Sequence, residues 1–460
     1  MAFMYSSVFS SQPFTEITMR DKEIRKLPGQ CRLGLLVSLL LMSTIAQATT
    51  TQNNCEELTL KQAITASLTG NPDLAAIKTR YESLAAIPSQ RSTLPDPVLS
   101  LAGLNLPTDT FNLDQENMTQ LQIGISQKFP FPGKLKLKEQ SAAFEAEAAL
   151  EQVGEARLNL VKTTRKTWWD IFYLQKSLRI ILANQDLLRE TVSAARKKYE
   201  VGKGLQQDVL LAQVELSRLI DRETSVKNSL EQKKAALAAL LDRPPDLCFV
   251  LPTSTALTLP ETPSVDELRK KAIANRPGLL ALKKKIDAAQ ARIDLARKDY
   301  FPDFTLGAAY GFRHDLPDGS ARANFATFKL SMNLPVWTST KQDQAVAQRT
   351  SESLTSRHNY RAFRNKVQNE VTTEYSEYTN TMQQTELYRT SLVPQAEQTA
   401  AAMLKGYQVN KVDFLNVVRA QLALYNFKIT YWKRLSSAFK ALAGLEAATG
   451  TSVIRESIHE

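Results

Sequence analysis

The chain has 460 residues, with 58 Lys or Arg against 47 Asp or Glu, and a formal net charge of +11. The basic residues are interleaved with acidic ones along helical stretches, which is typical of solvated helix faces and argues against a nucleic-acid partner. Only 16 residues are glycine, and the abundance of Ala, Leu and Gln favours long helices.

Residues 1–48 are predicted to be a signal peptide. Arg32 and other basic residues precede an apolar run, Leu33 to Ile45, which ends on Ala46-Gln47-Ala48, the small-residue pattern of a cleavage site. The alternative of an anchored helix is disfavoured because the run is too short to span a bilayer. The stretch before Arg20 is long for such a signal, so Met19 is an alternative start. We expect the mature chain to be exported.

Two cysteines would remain after this cleavage. An oxidising compartment allows Cys55 and Cys248 to form a disulfide, and the sequence leaves a disulfide and two free thiols as open alternatives. Lipidation of Cys55 is disfavoured because Gln52-Asn53-Asn54 lacks the small and apolar residues that such processing requires.

The rest of the chain contains one unit twice, about 205 residues apart. Pro97-Val98-Leu99-Ser100-Leu101 corresponds to Pro302-Asp303-Phe304-Thr305-Leu306, for example. The repeat predicts a first unit at 49–245, a linker at 246–262, a second unit at 263–450 and a tail at 451–460. Each unit is expected to begin with two short helices, which prolines end: Thr59 to Leu68 and Asp73 to Arg91, then Ser264 to Ala274 and Gly278 to Lys298.

Strand pairs are predicted at about 97–129 and about 302–335. Apolar residues alternate there with small or polar ones, which suits either a lipid-facing barrel strand or a soluble sheet with one wet face. Four strands cannot close on themselves, and lipid does not tolerate an open edge. A membrane barrel would therefore be shared, with eight strands from two chains or twelve from three. Loops 107–118 and 313–322 would then face outward.

A long helical hairpin is predicted after each strand pair, at 133–242 and 341–449. Lys134 to Tyr199 contains no proline, and at 1.5 Å per residue such a helix is roughly 100 Å long. Pro394 is expected to kink the second rod. Apolar residues recur at nearly the coiled-coil period: Val161, Trp168, Ile171, Leu178, Ile181, Leu188 and Val192. We therefore expect Trp168 and Trp169 to be packing residues.

The two hairpins turn at Val201-Gly202-Lys203-Gly204 and at Val409-Asn410-Lys411-Val412. Gly, or Asn as second choice, supplies the left-handed residue that such a turn requires. A β-branched residue at Gly202 or Gly204 is therefore expected to be costly. Asp208 and Asp413 should lie at the N-termini of the returning helices, where the dipole favours a carboxylate.

Four sequence strings give the chain a family resemblance. They are Phe129-Pro130-Phe131-Pro132-Gly133-Lys134, Leu334-Pro335-Val336-Trp337, Tyr199-Glu200-Val201-Gly202 and Asp413-Phe414-Leu415-Asn416-Val417. With them, the mature chain resembles the TolC family of outer-membrane efflux ducts over its whole length. The first string is most similar to the heavy-metal, CusC/CzcC-like branch.

The resemblance implies a mainly α fold with a small membrane β-barrel portion. It implies a homotrimer whose twelve-stranded barrel lies in the outer membrane and whose α-barrel extends into the periplasm. The tips would meet a periplasmic adaptor of an inner-membrane pump. Carried over, the docking residues are Val201, Gly202, Lys203, Gly204, Val409, Asn410 and Lys411, with Asn410 where the family usually has Gly. Relatives narrow the tunnel with acidic residues before the second turn, and Glu397 is the candidate here.

No catalytic, cofactor or metal site is predicted. His314, His358 and His459 lack partners at ligand spacing, and no phosphate-binding Gly-rich loop follows a strand. We therefore do not expect an enzyme, and the repeat pattern and the family resemblance together imply a passive exit duct for small solutes or metal cations. The alternatives are the outer-membrane component of a type I protein secretion system and a soluble periplasmic coiled-coil adaptor or scaffold.

Overall fold

The computed structural model describes residues 55–246, 248–252 and 257–451, except for the side chain of Glu56. The predicted signal peptide and most of the predicted tail lie outside these ranges. Among the helices in the described ranges, none combines the length and the apolar character that crossing a membrane requires.

Both repeats have the predicted order of elements. The first contains β1 (Glu56–Glu57), α1 (Leu60–Gly70), α2 (Pro72–Ala85), α3 (Ile87–Ser92), β2 (Val98–Leu104), β3 (Gln120–Phe129), α4 (Lys134–Glu200) and α5 (Gln206–Leu240). The second contains β4 (Phe249–Val250), α6 (Val265–Asn275), α7 (Pro277–Lys298), β5 (Phe304–Phe312), β6 (Phe325–Met332), α8 (Gln342–Leu387), α9 (Val393–Gln408) and α10 (Phe414–Thr449). The mainly α architecture with four barrel-type strands is confirmed.

The short helices begin where side chains can cap them. Thr59 and Gln62 form a capping box at α1, and the Asn71 side chain accepts a hydrogen bond from the Leu74 N–H at α2. The single helix expected from Asp73 to Arg91 is wrong, because the chain divides at Ala86 into α2 and α3. Pro88, in the first turn of α3, has no N–H for a continuous helix to use.

The two long rods differ in regularity. Helix α4 runs for 67 residues without a break. The second rod is interrupted between α8 and α9 by one π-helical turn, Tyr388–Leu392. Pro394 lies two residues after this turn, in the first turn of α9, and a wider turn accommodates a residue that cannot donate to the preceding helix. The second rod is thus irregular close to Pro394, and the kink itself stays a prediction.

Strands β2, β3, β5 and β6 form one antiparallel sheet in that order. The central β3–β5 pairing joins the two repeats, with Phe129 opposite Phe304 at one end and Leu121 opposite Phe312 at the other. Strands β2 and β6 are therefore the edges of the sheet.

The largest core cluster lies around the tryptophan pair on α4. Trp168 and Trp169 are buried against Phe172 and Leu237, and Trp168 Nε1 donates to the Leu58 carbonyl over 3.1 Å. This confirms that the two tryptophans are packing residues.

The start of the described chain is tied to the linker between the repeats. Strands β1 and β4 pair in parallel, and a disulfide joins Cys55 to Cys248 with a Cα–Cα distance of 4.7 Å. Of the two alternatives left open by the sequence, the structure contains the disulfide.

Candidate duct surfaces: the strand sheet and the helical tips

The four-stranded sheet has one apolar face, and that face is exposed. Its members come into register across all four strands: Leu99, Leu101, Leu121, Ile123, Ile125, Leu306, Ala308, Tyr310, Phe312, Phe328, Leu330 and Met332. Phe328 is 85% exposed and Leu101 is 75% exposed. Water-soluble sheets normally bury such a face, so a contiguous exposed one indicates contact with lipid or with another chain.

The opposite face of the sheet is small and polar. Ser100 lies opposite Gly124, which lies opposite Ala309, and Thr327 follows on β6. The strands are crowded here, because a Cβ on Gly124 would lie 3.0 Å from the Ala309 Cβ. Lys329 is also on this face, opposite Gly307. The two faces therefore have the chemistry of a lipid-facing surface and a wet surface.

An ion-paired junction connects the sheet to the long helix α4. Lys134 begins α4, is 5% exposed, and places its Nζ 2.9 Å from Asp303 Oδ1 and 3.0 Å from Asp299 Oδ1. The Phe131 N–H donates to the same Asp303 oxygen over 3.0 Å. Lys134 and Phe131 belong to the first repeat and Asp303 to the second, so the junction also joins the repeats.

The electrostatics of this junction favour both charged forms. Burial acts to raise the pKa of Asp303, but hydrogen bonds from Lys134 and from the Phe131 N–H outweigh it and hold the pKa below 3.8. Burial likewise acts to lower the pKa of Lys134, and its bonds to Asp303 and Asp299 keep that pKa above 10.5.

Each helical tip turns through one left-handed residue, as predicted. Gly202 has φ +69° and Asn410 has φ +57°. The N–H of Lys203 donates to the Lys198 carbonyl over 2.8 Å, and the N–H of Lys411 donates to the Gly406 carbonyl over 2.9 Å. The two turns thus close with the same six-residue hydrogen bond.

The expectation that Gly204 also requires a left-handed backbone is wrong. Gly204 is absent from the positive-φ glycines of the described chain. Its constraint is steric, because an added Cβ would lie 3.0 Å from the Tyr199 nitrogen and 3.1 Å from the Lys198 Cβ.

The second tip has the same close approach, but its glycine is the other residue of the pair. There the small residue is Gly406, and a Cβ on it would lie 2.5 Å from Val412 Cγ2. When the tips are aligned on Tyr199 and Tyr407, Lys198 corresponds to Gly406 and Gly204 corresponds to Val412. Each tip therefore has one glycine at the close contact: it follows the left-handed residue in the first tip and precedes it in the second. This exchange was missed, although aligning the tip sequences would have shown it.

Lys198 brings the two predicted tips together. Its Nζ donates to the Tyr407 carbonyl and to Asn410 Oδ1, each over 2.9 Å, and lies 3.8 Å from the centroid of the Tyr407 ring. Sequence reasoning missed Lys198 and Tyr407, since neither has a periodicity or motif that indicates a contact between hairpins.

The exposed side chains of the tips are mostly apolar. Val201 is 68% exposed, Val409 is 62% exposed and Leu205 is 59% exposed. Asp208 lies in the first turn of α5, and Asp413 is the N-cap residue of α10. Burial raises the pKa of Asp208, and the nearby charge of Asp413 acts in the same direction.

Glu397 lies away from the turns, on α9. Its Oε1 accepts an ion pair from Lys428 Nζ of α10 at 2.7 Å, and half of its side chain is exposed. Its role in narrowing a tunnel stays a prediction. Within the described ranges, no three His, Cys, Asp or Glu residues are grouped so that they could hold a metal ion.

Comparison with known proteins places this architecture in a family. The sequence matches the family described as "Outer membrane efflux protein" over residues 63–243 and 268–451, one segment in each repeat. It is 22% identical over 393 residues to the cobalt-zinc-cadmium resistance protein CzcC of Cupriavidus metallidurans, covering 85% of this chain and 90% of that protein.

Solved structures share the fold. The outer membrane protein VceC of Vibrio cholerae superimposes with a TM-score of 0.73 at 19% identity, covering 86% of this chain and 97% of that one. CusC gives a TM-score of 0.72 at 17% identity, covering 85% and 93%. The chain thus belongs to the outer membrane efflux protein family. It is an outer-membrane channel of an efflux system, with a large periplasmic helical extension.

Proposed function

We propose that the chain assembles as a homotrimer whose sheets close a twelve-stranded barrel in the outer membrane. The observation that carries this proposal is the exposed apolar face of a sheet whose edges, β2 and β6, have no strand partner among the described residues. Hydrocarbon cannot hydrogen-bond the free N–H and C=O groups of an edge strand, so neighbouring copies must pair with them.

In this assembly the small polar face lines the lumen. A barrel of twelve strands is wide enough to leave a channel, whereas the interior of eight strands fills with side chains. The rods α4–α5 and α8–α10 continue the lumen into the periplasm. The chain itself performs no chemistry, and the free energy for export comes from the pump.

The two tips dock a periplasmic adaptor that belongs to an inner-membrane pump. Val201, Gly202, Lys203 and Gly204 form one docking turn and Val409, Asn410 and Lys411 the other. The exposed apolar side chains at these turns support this role, because Val201, Leu205 and Val409 each expose more than half of their surface at the end of a long rod.

Metal cations are the proposed cargo. The support is the overall similarity to CzcC, whose name records resistance to cobalt, zinc and cadmium. Deleting the gene in the native bacterium should lower the concentration of zinc, cobalt or cadmium salts that the cells tolerate. Unchanged metal tolerance with a loss of tolerance to organic toxicants would contradict the metal assignment while leaving the duct in place.

Gly202 provides the matched pair of variants that tests docking. Gly202→Val places a β-branched residue at φ +69°, which costs about 1–2 kcal/mol. Gly202→Asn reproduces the second tip, where Asn410 occupies the same conformation. We expect the valine variant to reduce export while the trimer still forms, and the asparagine variant to retain export. Export by the valine variant that is unchanged from the wild type would remove this tip from docking.

A further inference from the structure

The seam between the two repeats has a defined register inside one chain. At β3 and β5, Phe129 lies opposite Phe304, and the ladder continues to Leu121 opposite Phe312. This seam joins the second strand of repeat one to the first strand of repeat two. Within the described four-stranded sheet, this seam shows how a strand of one repeat pairs with a strand of the next.

The two open edges of the sheet are also a second strand of one repeat and a first strand of the other. β6 is the second strand of repeat two, and β2 is the first strand of repeat one. In a closed ring of identical chains, β6 of one copy must therefore meet β2 of the next copy. The repeat makes that junction a second instance of the β3–β5 seam.

The two faces of the sheet restrict the register of this second seam. Leu330 and Met332 lie on the apolar face of β6, and Leu99 and Leu101 lie on the apolar face of β2. A slip of one residue would place the small polar residues of one strand beside the apolar residues of the other. Only registers that pair apolar with apolar residues keep a continuous lipid-facing surface.

Prolines select one of these registers. In the internal seam, Phe129 directly precedes Pro130, and Phe304 comes two residues after Pro302. At the open edges, Leu334 directly precedes Pro335, and Leu99 comes two residues after Pro97. Proline cannot donate to a ladder and therefore marks its end. The pair that corresponds to Phe129 and Phe304 is thus Leu334 and Leu99.

We infer that β6 of one copy pairs antiparallel with β2 of a second copy, with Leu334 opposite Leu99, Met332 opposite Leu101 and Leu330 opposite Gly103. This inference rests on the proposed homotrimer and specifies its seam. Repeated three times, it gives every strand of the barrel two neighbours.

The two nearest registers that also keep the faces matched define the competing outcomes. The pairing registers of the two β-hairpins differ by two residues. Leu99 pairs with Ile125, whereas its counterpart Phe304 pairs with Met332, two residues beyond Leu330, the counterpart of Ile125. A slip of two residues in the seam would place Met332 opposite Leu99 or opposite Gly103.

Paired cysteines distinguish the three registers in the assembled protein. Met332→Cys is combined with Leu101→Cys, with Leu99→Cys or with Gly103→Cys in the full chain, which keeps its Cys55–Cys248 disulfide. Directly opposite residues have Cα atoms about 4.5–5.5 Å apart, within the disulfide range, whereas diagonal neighbours lie at about 7–8 Å. The readout is the yield of covalent trimer on denaturing gels without reductant, and each single-cysteine variant is a control.

We expect the Met332/Leu101 pair to give the highest yield, at least about fivefold above the two slipped pairs, since these exceed the disulfide Cα range. A parallel sample treated with a lysine-reactive crosslinker reports the trimer independently. A crosslinked trimer with its highest disulfide yield at Leu99 or Gly103 would overturn the register and leave the trimer intact. A single chain in both experiments would overturn the trimer and the inference with it.

Discussion

Lys198 joins the two helical tips through Tyr407: its Nζ lies 2.9 Å from the Tyr407 carbonyl oxygen and 3.8 Å from the centroid of the Tyr407 ring. The same nitrogen donates to Asn410 Oδ1. Asn410 replaces glycine at the left-handed position of the second turn. The replacement thus supplies an acceptor that glycine would lack, and the two tips form one connected surface.

Lys198→Met keeps most of the side-chain length and removes the ammonium. Because the lost hydrogen bonds are charge-assisted but partly exposed, we expect a local cost of about 1 kcal/mol. That cost corresponds to about fivefold faster hydrogen exchange at the Asn410 and Lys411 amides. Lys197→Met, one residue away on the exposed side of α4, is the matched control and should leave these rates unchanged. Equal rates in the two variants would show that Lys198 does not join the tips.

Gly406 and Val412 should show a substitution effect that changes sign. Gly406→Ala alone forces its Cβ to within 2.5 Å of Val412 Cγ2, and such overpacking typically costs about 1–3 kcal/mol. In a Val412→Ala background the clash is relieved, and the same substitution should stabilise the tip by about 0.5–1 kcal/mol through helix propensity. Hydrogen exchange at the end of α9 measures both effects. An effect of Gly406→Ala that is the same in both backgrounds would contradict the packing described here.

Asp303→Asn should weaken the connection between the sheet and the rods. The buried Lys134 would retain Asp299 but lose the partly buried carboxylate of Asp303, so we expect a cost of about 2 kcal/mol in thermal unfolding of the oligomer at pH 7. Asp96→Asn, on the equivalent segment of repeat one, is the control and should have little effect.

The effect of Asp303→Asn should also depend on pH. The pKa of Asp303 is depressed in the folded protein, so its contribution is complete above the usual carboxyl pKa of 3.8 and is lost as the pH falls through the lower folded value. Wild type and Asp303→Asn should therefore differ at pH 7 and converge as the pH falls below 3.8. A difference that persists unchanged in acid would mean that the carboxylate charge is not the cause.

Lys329 should set the ion preference of the barrel. It lies on the small polar face opposite Gly307, so a closed trimer would place three ammonium groups in the lumen. Reversal potentials across planar bilayers should show a weak anion preference for the wild type, because fixed lumen charges bias the permeant ion. Lys329→Glu should reverse that preference and Lys329→Gln should abolish it. An unchanged reversal potential in Lys329→Glu would place this residue outside the conduction path.

Much of the fold follows from local sequence signals. The alternation of Leu121, Ile123 and Ile125 fixes the face of a strand, and the absence of proline after Lys134 allows a rod of 67 residues. The prediction was wrong between Asp73 and Arg91, because Pro88 lacks the N–H that a single continuous helix would use there. It was wrong at Gly204 because a glycine that avoids a side chain and a glycine that adopts positive φ look the same in sequence.

The contacts that define the tips and the junction could not be predicted in the same way. The bond from Lys198 to Tyr407 and the ion pair of Lys134 with Asp303 each join residues more than 160 positions apart. They depend on how one repeat packs against the other, and neither residue type nor spacing indicates the partner. Sequence patterns specify the faces of elements, whereas the pairing of distant side chains requires the assembled fold.

The central claim is that one chain supplies an open four-stranded sheet, which only other copies in the outer membrane can close into a barrel. Native mass spectrometry of the protein extracted from purified outer membranes with mild detergent tests it most directly. We expect a particle of three mature chains that dissociates only on strong heating or denaturation. A stable single chain, recovered from the soluble periplasmic fraction without detergent, would contradict it.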